Sequence, residues 1–193
     1  MEWRPLSREN DPNPWDAGCR EPERYHIRAA GTTEQEVGDF LWGLVRVLQP
    51  RIVVETGTAD GDTTERIGQA LVANGHGRCV TVERGPQRAA RARRRLVGLP
   101  VTALCDDVLV LDWARVIPMN RQVDMAFIDA STERAREFMW LRPFLAPGAF
   151  VAFHDTGNGL AVGDDVRKLA RDGVLIETVH IPCPRGLTVG RVA

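Results

Sequence analysis

Apolar and polar positions along this chain follow two alternating periods. Arg51–Thr56, Arg78–Glu83, Val101–Cys105, Val123–Asp129 and Ala149–His154 are short β-branched or apolar runs of the kind that fill strands covered on both faces. Helical spacing is expected between them, over Thr63–Ala73, Pro86–Val97, around Trp113–Ile117 and over Thr132–Leu145, with a further helix over Ala161–Arg171. A first helix precedes the series, because Val37, Leu41, Leu44, Val45 and Leu48 share one helical face and Pro50 stops it. Thr32 or Thr33 offers its cap, and Glu36 completes a capping box with Thr33. Val174–Ile181 and Leu187–Val192 close the chain as two more strands. The Pro182–Gly186 connection is too short for a crossover helix, so this last pair is expected to be antiparallel. Strands alternating with helices in this way predict an α/β fold, with a parallel sheet covered by helices on both faces.

Residues 1–31 break the pattern. Pro5, Pro12, Pro14 and Pro22 fix the backbone and remove donors, so an arm of loops and short turns is expected, packed through Trp3, Trp15 and Tyr25 and placed to act as a substrate lid. With 193 residues, 44% of them hydrophobic, the remainder, 32–193, suits one domain with a substantial core. A formal charge of -1 supplies no basic field for nucleic acid or anionic lipid. The arginines Arg88, Arg91, Arg93, Arg94 and Arg95 crowd one helix, where a solvated outer face is the expected use. Cys19, Cys79, Cys105 and Cys183 are far apart and form no C-x-x-C pair, which argues against zinc or a disulfide framework. The polar N-terminus has no apolar signal segment, and no long apolar run follows, so a soluble cytoplasmic protein is expected.

The chemistry concentrates at the strand ends. In open α/β sheets ligands bind beyond the carboxyl ends of the strands, and here those ends carry Glu55, Glu83, Asp106–Asp107, Asp129 and His154–Asp155. The first end runs into Gly57-Thr58-Ala59-Asp60-Gly61, a turn that lets a ligand approach bare backbone before the next helix points its free N–H groups at it. Glu83 ends the following strand, where a carboxylate can accept both hydroxyls of a ribose. Neither G-x-x-x-x-G-K-[ST] nor a full G-x-G-x-x-G is present. Clustered acids would repel a pyrophosphate and favour a cationic nucleoside.

Through Val54–Gly61, Val82-Glu83, Cys105-Asp106-Asp107, Asp124–Asp129 and Leu145–Asp155 the chain resembles the class I S-adenosylmethionine-dependent methyltransferases, over roughly Thr32 to Asp155. The resemblance implies a Rossmann-like seven-stranded mixed sheet, mostly parallel with an antiparallel C-terminal strand, and S-adenosylmethionine as cofactor. It implies that Gly57 and Gly61 face the methionine part, Glu83 the ribose and Asp107 the adenine amine. Asp62 or Thr63 would meet the cofactor carboxylate or amine, and Thr33 the methionine end. Glu55, Arg84, Asp106 and Asp129 complete the expected cofactor set.

Catechol-type and related sugar and natural-product O-methyltransferases, which the chain also resembles, hold a magnesium ion with acids at two neighbouring strand tips. That resemblance makes Asp129, His154 and Asp155 candidate metal ligands and catalytic residues. The catechol type carries Asp-Asn at the second tip where this chain has His154-Asp155, so His154 stays open as ligand, general base or packing residue. The catechol-type lysine base has no counterpart, since Thr132 stands there; His154, Asp155 and His26 are the alternatives. The expected reaction is methyl transfer to a small molecule, first of all at a hydroxyl. Metal-independent methylation of nitrogen, RNA or protein is the alternative, as is cofactor binding without catalysis. A nicotinamide-dependent reductase is disfavoured, because Tyr25 is the only tyrosine, Lys168 the only lysine, and they form no Tyr-x-x-x-Lys. The loop Gly157–Gly163 is expected to border the acceptor site, and Trp140 is a candidate for the substrate pocket or for the subunit contact of a homodimer.

Overall fold

The computed structural model describes residues 2–117 and 121–193. Its centre is β3 (Ile52–Thr56), whose five residues are all buried. Successive strand side chains point to opposite faces, so β3 supplies two cores at once. Ile52 and Val54 pack on one face with Val80, Trp113, Phe138 and Val166. Val53 packs on the other with Met125, Phe127, Val37, Leu41 and Ile67. A side chain such as Phe127, fully buried, contributes about 1.5–3 kcal/mol by its removal from water.

On one side of β3 lie β4 (Arg78–Glu83) and β5 (Val101–Cys105); on the other lie β6 (Val123–Ile128) and β7 (Leu145–His154), all parallel to it. Beyond β7 come β9 (Leu187–Val192), antiparallel to both its neighbours, and β8 (Leu175–Ile181) at the edge. The sheet is thus seven-stranded and mixed. The chain leaves β3 in one direction and returns to its other flank at β6, which opens a crevice above the carboxyl ends of these two strands.

The helices are α1 (Gln35–Leu48), α2 (Asp62–Asn74), α3 (Pro86–Arg95), α4 (Trp113–Val116), α5 (Arg134–Leu141) and α6 (Ala161–Arg171). The cores pair α1 and α2 with one face, and α4, α5 and α6 with the other. No described helix is long and apolar enough to cross a membrane.

Several boundaries differ from expectation by one or more residues, and at α1, α5 and β7 the difference has a local reason. Helix α1 starts at Gln35 with Glu34 at its cap position and no side-chain cap, because Thr33 Oγ1 donates instead to Asp129 Oδ2 (2.8 Å) and Glu36 accepts from the His26 backbone N–H (2.9 Å). Helix α5 begins two residues late and ends at Leu141, since Pro143 turns the chain into a 3-10 segment, Arg142–Phe144. β7 then starts at Leu145, and its pairing with β6 shifts register between Val123 and Met125. The arm holds a two-stranded antiparallel piece, β1 (Arg4–Pro5) with β2 (His26–Ile27). Buried Asp16 ties the arm down, meeting His180 Nε2 at 2.6 Å and donating its backbone N–H to the Pro184 carbonyl at 2.7 Å.

Candidate functional site

The turn after β3 is closed by glycine for two reasons. Gly57 has φ +83, and a Cβ there would lie 2.5 Å from the Asp129 carbonyl oxygen and 2.7 Å from Ala130 Cα. The loops after β3 and β6 therefore touch backbone to backbone. At the tip of β4, Glu83 is held by its own loop and its neighbour's: Oε2 accepts from the Ala59 N–H (2.9 Å) and Oε1 from the Gly85 N–H (2.7 Å).

Two adjoining cavities line this crest. One, of about 290 Å³, is bordered by Gly57, Thr33, Asp62, Thr63, Glu83 and Asp129, with Asp155 and Arg134. The other, of about 200 Å³, is bordered by Gly57, Glu83, Arg84, Asp106 and Asp107. Arg88, exposed on α3, borders both. Arg91 and Arg95 of the same helix bind Asp60 and Asp62. A third cavity, of about 410 Å³, shares Gly31, Thr132, Arg134 and Asp155 with the first and continues past Leu160 and Val162, in the region expected to border the acceptor. A larger hollow, of about 890 Å³, is bordered by Arg51, Gly77 and Arg78 at the opposite, amino ends of β3 and β4, away from every candidate residue.

Two expected cofactor residues border neither of the two cofactor-side cavities. Gly61 (φ +87) caps α2 and packs against Ala92. Glu55 turns inside, where Oε2 accepts from Thr64 Oγ1 and from Thr81 Oγ1 (2.6 Å). Its burial raises the carboxyl pKa to about 7, against the pull of the two hydroxyls. The folded value lies above the ordinary 4.5, so the protonated form favours folding below pH 4.5 and that contribution disappears as pH rises through 7. Glu55→Gln should therefore gain on the parent protein between pH 5 and pH 8 by on the order of 3 kcal/mol in urea unfolding; a constant difference would contradict this assignment.

Asp129, just past β6, and His154, the last residue of β7, meet in a knot of charges. His154 Nδ1 lies 3.2 Å from Asp129 Oδ1, and Nε2 lies 2.8 Å from Glu34 Oε2. Arg134, the first residue of α5, places Nη2 2.6 Å from Asp129 Oδ1 and 2.5 Å from Asp155 Oδ2. Arg185, in the connection before β9, puts Nε 3.6 Å from Glu34 and 3.5 Å from Asp155. Burial alone would neutralise His154, but Asp129, Asp155 and Glu34 outweigh it and raise its pKa to about 10. Burial likewise opposes ionised Asp129, yet His154 and Arg134 hold its carboxyl well below the usual range. Asp155 adopts φ +58, a left-handed conformation uncommon outside glycine that stores strain at this corner.

The expected metal ligands do converge: atoms of Asp129, His154 and Asp155 lie within 4.8 Å of one another. Arg134 Nη2 already bridges Asp129 Oδ1 and Asp155 Oδ2, and His154 lies between Asp129 and Glu34. With Nδ1 toward Asp129 and Nε2 on Glu34, His154 has both ring nitrogens engaged by carboxylates, and of the roles left open for it, ligand, general base or packing residue, this arrangement favours the last. His26, the other candidate base, pairs with Glu36 (2.7 Å) and borders none of the three crest cavities. Glu34, Arg134 and Arg185 were not expected at the site. For Arg134 and Arg185 the one sequence signal is a position in a segment flanking a strand tip; Glu34, just before α1, carries none.

The family profile described as "Methyltransferase domain" matches residues 54–156. No curated protein matches the chain. Among solved structures, the O-methyltransferase TomG from Streptomyces achromogenes, in complex with SAM, is 24% identical, with a TM-score of 0.69 over 84% of this chain and 82% of that one. An O-methyltransferase from Bacillus cereus in complex with SAH is 21% identical (TM-score 0.69, 85% and 84% covered). A putative caffeoyl-CoA O-methyltransferase from Staphylococcus aureus is 17% identical (TM-score 0.70, 84% and 85% covered). The seven-stranded mixed sheet with helices on both faces is the fold they share.

Proposed function

Because the chain belongs to the methyltransferase-domain family, we propose that it transfers the methyl group of S-adenosylmethionine to a small-molecule acceptor, at a hydroxyl. The observation that carries the reading is Glu83, fixed by two backbone N–H groups at a strand tip and shared by two adjoining cavities. A carboxylate so placed suits a ribose, with the adenine toward Asp106 and Asp107 beside Arg84 and the methionine part toward Gly57, Asp62, Thr63 and Thr33. The neighbours solved with SAM or SAH share this fold and support the same cofactor.

The transfer is an in-line displacement, so alignment supplies most of the acceleration. The 410 Å³ cavity meets the cofactor side at Arg134, Thr132 and Asp155, which is where acceptor and methyl group would be brought together. Asp155, which borders both of these cavities, is the carboxylate placed to take the acceptor's proton. Asp129 acts behind it, held by Thr33, His154 and Arg134. Asn13, Pro14 and Gly31 come from the arm, so residues 1–31 would form one wall of the acceptor cavity and 32–193 the methyltransferase domain proper.

Incubating the protein with S-adenosylmethionine and separate panels of phenols, sugars and amines tests this, with S-adenosylhomocysteine formation as the readout. Turnover is expected with a hydroxylic compound. Product formed only with amines, or with added RNA or protein, would contradict the hydroxyl assignment.

A further inference from the structure

Resting on the methyl-transfer reading, we propose that the guanidinium of Arg134 stands where related enzymes place a divalent cation, so that the acceptor oxygen meets a fixed organic cation and transfer runs without a metal. Magnesium requires oxygen ligands at about 2.0–2.1 Å in near-octahedral array. The two carboxylate oxygens best placed to supply them, Asp129 Oδ1 and Asp155 Oδ2, are already bridged by Arg134 Nη2 at 2.6 and 2.5 Å. An ion and the guanidinium cannot share that space. Nor is Arg134 a mobile surface side chain, since it is 5% exposed and its Nη1 donates to the Ser131 carbonyl. Every charge facing the position is matched: Glu34, Asp129 and Asp155 are met by Arg134, Arg185 and both ring nitrogens of His154.

Arg134 also sits where an activating cation has to sit. It borders both the cofactor-side cavity and the acceptor cavity with its guanidinium donors. Such donors stabilise an oxygen that becomes anionic, and the planar fork orients it. Leu160, Val162 and Pro14 wall the rest of that cavity, which fits a small hydroxylic compound with an apolar body. In the step itself, the acceptor oxygen forms the O–CH3 bond while the S–CH3 electron pair returns to sulfur. The sulfonium becomes a neutral thioether, and the hydroxyl proton passes to Asp155.

The test uses the intact protein after EDTA treatment and has two arms. In the first, Mn2+ is titrated with the protein and followed by electron paramagnetic resonance; the free-ion spectrum should persist, whereas stoichiometric uptake that Asp129→Asn abolishes would overturn the proposal. In the second, turnover should be unchanged by EDTA. Arg134→Met should lower kcat by about 100-fold, with partial recovery in Arg134→Lys. EDTA-sensitive turnover restored by Mg2+, or full activity in Arg134→Met, would overturn it. The Mn2+ arm decides the metal question even if no acceptor is found, whereas loss of the methyl-transfer reading would show as failure to bind S-adenosylhomocysteine.

Discussion

His154→Ala should destabilise the protein by about 3–5 kcal/mol at pH 7, the cost of leaving a buried ion pair without one partner. His154 is 1% exposed and Glu34 fully buried, with 2.8 Å between Nε2 and Oε2. Burial works against a charged Glu34, but His154 and Arg185 overcome it and hold its carboxyl below the ordinary range. Alanine would leave Glu34 with Arg185 alone at 3.6 Å, leave Asp129 with Arg134, and open a hole the size of an imidazole. The pH dependence separates charge from packing. The folded pKa of about 10 exceeds the ordinary 6.5, so the stabilisation is complete below pH 6.5 and is lost as pH rises through 10. The gap between parent and variant should therefore narrow in alkaline urea titrations. A loss below about 1 kcal/mol at pH 7, typical of exposed pairs, would show that the knot is not held by charge.

Gly57→Ala should reduce S-adenosylhomocysteine affinity by at least about 100-fold, because one misplaced ångström at a positioning loop has effects of that order. Alanine at φ +83 costs about 1–2 kcal/mol in itself. The larger effect is the Cβ placed 2.5 Å from the Asp129 carbonyl, which must part the loops after β3 and β6 and so distort both walls of the cavity. Gly75→Ala is the control: φ is +74 and nothing lies within 4 Å of its Cβ, so it carries only the conformational cost. Equal binding losses in the two variants would mean that the close approach at Gly57 is immaterial.

The alternation of strands and helices and the antiparallel closing pair were legible because apolar runs and their spacing are written locally; the strand order, which sets β6 beside β3, was not, since it depends on contacts far apart in sequence. β4, β5, β9 and α6 have their expected bounds. Glu83, Asp107, Asp129 and Asp155 could be singled out because a strand end says where a carboxylate emerges. What a carboxylate then faces depends on contacts far apart in sequence. Glu55 emerges from the same strand as Gly57 yet turns inward to Thr64 and Thr81. The capping box at Thr33 and Glu36 was a sound local pattern that lost to a tertiary bond with Asp129 and to the chain at His26. Arg134 and Arg185 flank strand tips but could not be told from the other arginines, which dominate the basic residues, until the fold turns them inward.

The central claim is that the crest of this sheet holds a sulfonium nucleoside. Calorimetric titration of the wild-type protein with S-adenosylhomocysteine, and in parallel with NADH, tests it most directly. One molecule of S-adenosylhomocysteine bound per chain in the micromolar range, with no heat from NADH, is the expected result. Binding of NADH, with no heat from S-adenosylhomocysteine, would contradict it.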